Sequence, residues 1–258
     1  LCFSSVTVHA QSDADDFLIA HYEFDGNIED ALGYYHGEFV AGPGALTEPQ
    51  YMEGYDGTAN GAILFTGDNQ NCYMINVGTF CPSADGEQGQ MTVAFWGYWN
   101  GPTGESQDII NKRTSYDAGQ MMWGINQHAS TGHVISVRRR GSEISDSQKG
   151  MPLQQWTHVA VTLDGTEVHF YMDGDYYQTM PYTYGTSPDS PIHMGSAGNA
   201  DGSIRPQDVY NGALDDVRFY TRMLTADEVK ILYEGVSGIE DKSSTGPAIS
   251  QNYPNPFN

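Results

Sequence analysis

The sequence predicts an all-β protein, an antiparallel sandwich of two sheets with one short C-terminal helix. Three observations carry this. Turn chemistry punctuates the chain at Asp56-Gly57, Gly67-Asp68-Asn69, Asp85-Gly86, Asp164-Gly165, Asp173-Gly174 and Asp201-Gly202. Short alternating or apolar runs fill the intervals, and one amphipathic helical segment follows them. Many short strands with a single helix specify an antiparallel sandwich.

Taken in order, Phe17–Phe24 alternates, with Leu18, Ala20, Tyr22 and Phe24 on one face. Further strands are expected at 62–66, 72–77, 91–99, 107–112, 121–128, 133–140, 156–163, 167–172, 176–182, 192–196 and 213–220. The cleanest hairpin joins Trp156–Leu163 to Glu167–Met172 around Asp164-Gly165. In the pair 121–128 and 133–140, Trp123, Ile125, Ile135 and Val137 share one face, while Gly124, Asn126, His128, Ser136, Arg138 and Arg140 share the other. A sandwich buries the first set, so the second is expected to be an open polar surface.

The last strand carries acids. Strict alternation places Asp215 with Val217 and Phe219, and Leu214 with Asp216, Arg218 and Tyr220. A carboxylate among apolar neighbours requires a cation or several donors. Thr225 and Glu228 then form a capping box, Val229, Leu232 and Tyr233 can cover the sheet, and Gly235 suits the helix stop.

The 258 residues suffice for one sizeable core, burying roughly 70–75% of the unfolded surface. Eleven basic against 33 acidic residues give a net charge of −22, which argues against nucleic acid or an anionic membrane as partner. No run approaches the ~20 apolar residues of a membrane span, so no membrane insertion is expected. The first ten residues, ending Val8-His-Ala10, read as the remnant of a secretory signal peptide, the alternative being a non-targeting N-terminus. Cys72 and Cys81 would then remain as a pair across a loop and are expected to form a disulfide, the alternative being two separate buried thiols. Residues 237–248 are polar and small, as in a linker.

Seven segments, in order, resemble the LamG-like (concanavalin A-like, pentraxin-like) jelly-roll family. They are Tyr22-Glu-Phe-Asp-Gly26, Asp30-Ala-Leu-Gly33 with His36-Gly37, Ala62-Ile-Leu-Phe-Thr-Gly67, Met91-Thr-Val-Ala-Phe-Trp96, Trp156-Thr-His-Val-Ala-Val161, Val168-His-Phe-Tyr-Met-Asp-Gly174 and Gly212-Ala-Leu-Asp-Asp-Val-Arg-Phe-Tyr220. The resemblance covers about residues 17–235 of an expected domain at 11–236 and makes the sandwich a jelly roll. It implies a structural calcium where Asp25, Gly67 and Asp215 resemble the family's ligands, with carboxylate and carbonyl oxygens of the kind calcium takes. The alternative is a pair of ordinary turns and a hydrogen-bonded Asp215. The final Ile249-Ser-Gln-Asn-Tyr-Pro-Asn-Pro-Phe-Asn258 resembles the opening of a Por-type (type A) C-terminal sorting domain, whose remainder is absent from this sequence. That implies type IX secretion, to the medium or to the outer surface of a Gram-negative bacterium.

Glycosidases of this fold carry alternating glutamates and an aspartate on one strand, close enough for two carboxylates to work on one bond. Neither Glu-x-Asp-x-x-Glu nor Glu-x-Asp-x-Glu occurs here. The chain is therefore expected to be a non-catalytic extracellular recognition module, with a glycan or another cell-surface ligand as partner. Asn126, His128, Arg138 and Arg140 are the candidate ligand-binding residues, because guanidinium forks suit carboxylates and sulfates; pairing of those arginines with the protein's own acids is the alternative. A calcium-stabilised structural or protein-adhesion domain is the second reading, and a polysaccharide hydrolase or lyase the third.

Overall fold

In the computed structural model, residues 14–85, 89–115, 117, 119–140 and 143–235 are described. The expected signal remnant at 1–10, the linker and the sorting-domain start lie outside them. The first sheet has eight strands: Leu18–Tyr22 (β1), Tyr51–Met52 (β3), Ala62–Thr66 (β4), Met91–Trp99 (β6), Trp156–Leu163 (β11), Glu167–Met172 (β12), Asp175–Pro181 (β13) and Asn211–Tyr220 (β17). The second has seven: Glu38–Ala41 (β2), Tyr73–Asn76 (β5), Gln107–Arg113 (β7), Met121–His128 (β8), Val134–Arg140 (β9), Glu143–Asp146 (β10) and Ile192–Met194 (β14). Ala197–Gly198 (β15) and Ile204–Arg205 (β16) pair as a small ribbon. All strand pairings within the sheets are antiparallel, so the predicted sandwich is observed.

The main core lies between the two large sheets. Val93, Phe95, Val159, Val161, Val217 and Phe219 of the first meet Tyr73, Ile75, Trp123, Ile125, Ile135 and Val137 of the second. The predicted apolar face of the 121–140 pair is thus in place. A second cluster forms on the outer side of the first sheet, where Ala94, Ala160, Tyr171 and Tyr220 are covered by Leu224 and Val229. Val229 belongs to the C-terminal helix, Ala226–Glu234, which starts at the capping box Thr225/Glu228. Arg222 reinforces that start, its Nη2 lying 2.5 Å from Glu228 Oε1.

Two expectations fail at this level. Cys72 and Cys81 are both buried and are not bonded to each other. Cys72 packs with Met74, Ile204 and Val209 outside the second sheet, whereas Cys81 belongs to the core between the sheets. β5 runs between the two clusters, sending Tyr73 and Ile75 inward and Met74 outward, so the sulfurs lie on opposite sides of a sheet.

The second failure is the facing of Asp215. Leu214, Val217 and Phe219 point into the core, while Tyr220 joins the outer cluster. β17 pairs Asp215 with Trp96 and Arg218 with Ala94, so Asp216 and Val217 oppose Phe95 alone. This β-bulge, with Asp216 in the left-handed region at φ 47°, shifts the alternation by one residue. Asp215 consequently leaves the face of Val217 and Phe219 for the outer side of the sheet.

Candidate functional site

The bulge also marks a change of neighbour. β17 pairs with β4 from Asn211 to Leu214 and with β1 from Val217 to Tyr220. Asp215 and Asp216 sit in the gap where β1 leaves and β4 arrives. The loop between β3 and β4 closes over it, tied to the turn after β1 by Gly26 N–H donating to Asn60 O at 2.9 Å. The result is an acidic recess of about 160 Å3 lined by His21, Glu23, Asp25, Tyr55, Asp56, Asp215, Asp216 and Arg218. Glycine permits the close approach: a Cβ on Gly54 would lie 2.7 Å from Asp215 Oδ2 and 3.3 Å from Asp56 Oδ1.

The two adjacent aspartates are treated differently. Asp216 Oδ1 lies 2.6 Å from His21 Nε2 and accepts from Arg218 Nε at 2.8 Å. Burial works against its charge, but these two partners hold its carboxyl below the usual range. Asp215 is 4% exposed and accepts the Tyr55 N–H at Oδ2, 3.0 Å away. Burial dominates and pushes its carboxyl up to about 7; the backbone N–H groups of Tyr55 and Asp216 oppose this, while the charges of Asp216 and Asp56 add to it. Both basic side chains of the recess are thus engaged by Asp216.

The expected calcium ligands are only partly assembled. Asp25 and Asp215 line the same recess. Gly67 does not: its N–H donates to Tyr210 O and its Cα abuts Asn211, at the opposite end of β17. Four residues of strand, about 13 Å, separate that end from Asp215. Among the described residues, no three His, Cys, Asp or Glu side chains stand close enough to form a ready-made metal cage. Asp215, Asp25 and Asp56 line one recess and offer oxygens of the kind a cation takes, but they are not gathered into a three-carboxylate cage.

The predicted ligand-binding face is not open. Asn126 and Ser136 are fully buried and Arg138 nearly so. They belong to a polar layer on the outer side of the second sheet, where Asn126 Nδ2 donates to Asp108 Oδ1 at 3.3 Å and Ser136 Oγ to Asp146 Oδ1 at 2.5 Å. The segment carrying β15 and β16 folds over this layer: Asn111 Nδ2 donates to Ser196 O and Arg113 Nη2 to Gly198 O. The side chains of His128 and Arg140 lie outside the described residues, although their backbones complete β8 and β9. Asn126 and Arg138 are therefore interior groups, not direct contacts for a surface ligand.

Alternation left the facing of Trp96 and Trp99 open. Trp96 points outward beneath Tyr55, ring centroids 4.3 Å apart and 8° from parallel, and Trp99 packs against the core with Nε1 donating to Gln107 Oε1.

A second cavity, which the sequence reading missed, lies between the start of β1 and the turn that follows it. It measures about 340 Å3 and is lined by Asp16, Phe17, Leu18, Ile19, Tyr34, Tyr35 and Thr221. Asp30, 2% exposed, organises the turn. Its Oδ1 accepts the N–H groups of His21 and Leu32, and its Oδ2 those of Tyr34 and Tyr35, at 2.9 to 3.2 Å. Burial alone would raise its pKa, but the four donors outweigh it and hold the carboxyl below the usual range. Tyr34 is left 77% exposed at the cavity mouth. Its only legible signal is the tyrosine pair behind the turn residues Asp30-Ala-Leu-Gly33.

Among the described residues, no helix is long and apolar enough to cross a membrane. A search of curated proteins finds no match. Solved structures resemble the chain at the level of the fold. Domain 4 of AbnA, a GH43 extracellular arabinanase from Geobacillus stearothermophilus solved in complex with arabinotriose, is 18% identical with a TM-score of 0.60, covering 84% of this chain and 98% of that one. The binding domain of botulinum neurotoxin DC, solved in complex with rat synaptotagmin II, is 13% identical with a TM-score of 0.60, covering 86% of this chain and 52% of that one. The binding domain of Paraclostridial Mosquitocidal Protein 1 is 18% identical with a TM-score of 0.55, covering 85% and 52%. The chain thus spans about half the length of the toxin domains. The family model for the concanavalin A-like lectin/glucanases superfamily matches residues 52–230, from β3 into the C-terminal helix, and the chain belongs to that superfamily.

Proposed function

We propose that this chain is a non-catalytic recognition domain of an exported protein and that its ligand class is carbohydrate. The observation that carries the reading is the match, over nearly its whole length, to an arabinanase domain solved with a trisaccharide. A neurotoxin binding domain of the same fold, solved in complex with SialylT, agrees with it. Binding needs only a presented surface, which this scaffold has at its rim. The test is a glycan array of neutral, acidic and sulfated oligosaccharides, with release of reducing sugar followed in parallel. Retention of at least one glycan class without hydrolysis is expected. No retention favours a structural or protein-adhesion domain, which the complex of a related fold with rat synaptotagmin II keeps open as the second reading. Released sugar overturns the non-catalytic assignment.

Calcium is proposed as a structural ion in the acidic recess. The support is chemical: Asp215 is buried, its neighbours Asp216 and Asp56 repel it, and the nearby basic side chains serve Asp216. At about 160 Å3 the recess is smaller than the roughly 300 Å3 at which pockets for organic ligands begin, and it suits an ion with its waters. The ion would join Asp25 and Asp215 and so fix the end of β1 against β17.

A further inference from the structure

We propose that the cleft between Phe17–Ile19 and Tyr34–Tyr35 is a carbohydrate subsite for neutral pyranose rings. The inference rests on the recognition function proposed above and assigns it a place and a sugar class.

Size is the first argument. At about 340 Å3 the cleft falls within the range of small-molecule sites, at twice the volume of the acidic recess. Shape is the second. The Tyr34 and Tyr35 rings lie 6.5 Å apart at 56°, so they form two walls of an angle rather than one flat patch. A pyranose presents an apolar face of C–H groups that stacks on such a ring, while its hydroxyls project from the edge. Asp16 and Thr221 add polar residues to the lining, the Thr221 hydroxyl already donating to Phe17 O at 3.4 Å, and Leu18 and Ile19 add apolar ones.

Preorganisation is the third argument. Tyr34 is 77% exposed, and Leu32 on the same turn is another of the few large apolar side chains at the surface among the described residues. The backbone N–H groups of Leu32, Tyr34 and Tyr35 all donate to Asp30, so the turn is already ordered before any ligand arrives.

Charge selects the class of sugar. Among the described residues, Asp16 is the only carboxylate lining the cleft and no basic side chain lines it. Arg222 stacks on the neighbouring Phe17 ring at 4.7 Å but is already paired with Glu228 through both terminal nitrogens. An acidic or sulfated saccharide therefore meets a carboxylate with no free cation, on a chain of net charge −22. A neutral sugar meets an acceptor for its hydroxyls.

The test is a calorimetric and NMR titration of the intact chain with neutral tetrasaccharides of gluco-, manno- and galacto-configuration and with a sulfated tetrasaccharide. Binding of a neutral probe is expected, insensitive to salt, with amide shifts centred on Phe17–Ile19, Tyr34 and Tyr35. Tyr34→Ala should weaken it by about tenfold or more with an unchanged melting midpoint, Tyr34→Phe should restore it, and Tyr176→Ala, at another half-exposed tyrosine, should leave it intact. Neutral binding that ignores Tyr34→Ala and shifts other amides overturns the cleft but keeps the recognition function. Salt-sensitive preference for the sulfated probe overturns the neutral class. Failure of every tetrasaccharide at millimolar concentration overturns both the cleft and the carbohydrate reading.

Discussion

Asp30 and Asp215 are both buried carboxylates at the margin of the first sheet, 2% and 4% exposed, yet their chemistry diverges. Asp30 accepts four backbone N–H groups and its pKa is lowered despite burial. Asp215 has two backbone donors, two acidic neighbours and a pKa pushed up to about 7 by burial. Burial penalises the charge of each, more heavily at Asp215; the number of donors and the sign of nearby charge widen the difference. One acid is a finished structural clamp, and the other is short of positive charge. That difference separates a turn that can present Tyr34 rigidly from a recess suited to an ion.

The comparison breaks most readily at Asp30. Asp30→Asn keeps one carbonyl oxygen but sets an NH2 group against two backbone donors, so it should cost about 2–4 kcal/mol in urea unfolding. An unchanged midpoint would mean the four hydrogen bonds contribute no net stability.

Glu228 offers a third acid and sharpens the rule. The Arg222 fork leads its causes, and with the capping box it brings the carboxyl down to about 2. Its folded pKa lies below the unfolded one, so its stabilisation is full above about pH 4.5 and is lost as pH falls toward 2. Glu228→Gln should therefore lower stability by about 2–3 kcal/mol at pH 7, with the gap to wild type closing in strong acid. A gap that persists at pH 2 would locate the effect in packing instead.

The proposed calcium would act on the other member of the comparison. At ~100 times its dissociation constant it should stabilise the wild type by about 2.7 kcal/mol, and Asp215→Asn should abolish the shift. Equal melting midpoints in calcium and chelator would remove the ion from the recess. In chelator, Asp215→Asn should change stability by less than about 1 kcal/mol, because it removes an uncompensated charge and keeps an acceptor. A large loss there would show that Asp215 is satisfied without metal. The smallest effect expected is that of a reductant, which should leave the melting curve unchanged, with mass spectrometry finding Cys72 and Cys81 unlinked. A linked pair in unreduced protein would contradict the separation of the two sulfurs.

Local chemistry was legible in the sequence because it is settled within a few residues. The Thr225/Glu228 capping box needs three residues of spacing, the Asp164-Gly165 hairpin needs two, and the inward set Trp123, Ile125, Ile135 and Val137 needs only the pleat. The acidity of the β17 end was legible too; that Asp25 and Asp215 line one recess was suggested only by the family resemblance.

What the tertiary structure decided was non-local. A bulge opposite Phe95 reversed the facing of Asp215, and alternation alone cannot announce a two-against-one pairing. Asn126 and Arg138 lie in a buried polar layer instead of an open face, with the segment 195–210 folded over the neighbouring β7, since a strand does not encode what folds over its outer side. Gly67 was carried to the wrong end of β17 by the register of β4, and Cys72 and Cys81 were sent to opposite sides of a sheet by β5. The tyrosine cleft draws on residues 16–19, 34–35 and 221, which no window of sequence contains together. By itself the sequence determined the alternation of side chains along each strand and the chemistry of each turn, because these depend on near neighbours. Register, coverage and cavities depend on which distant segments meet, and only folding supplied that.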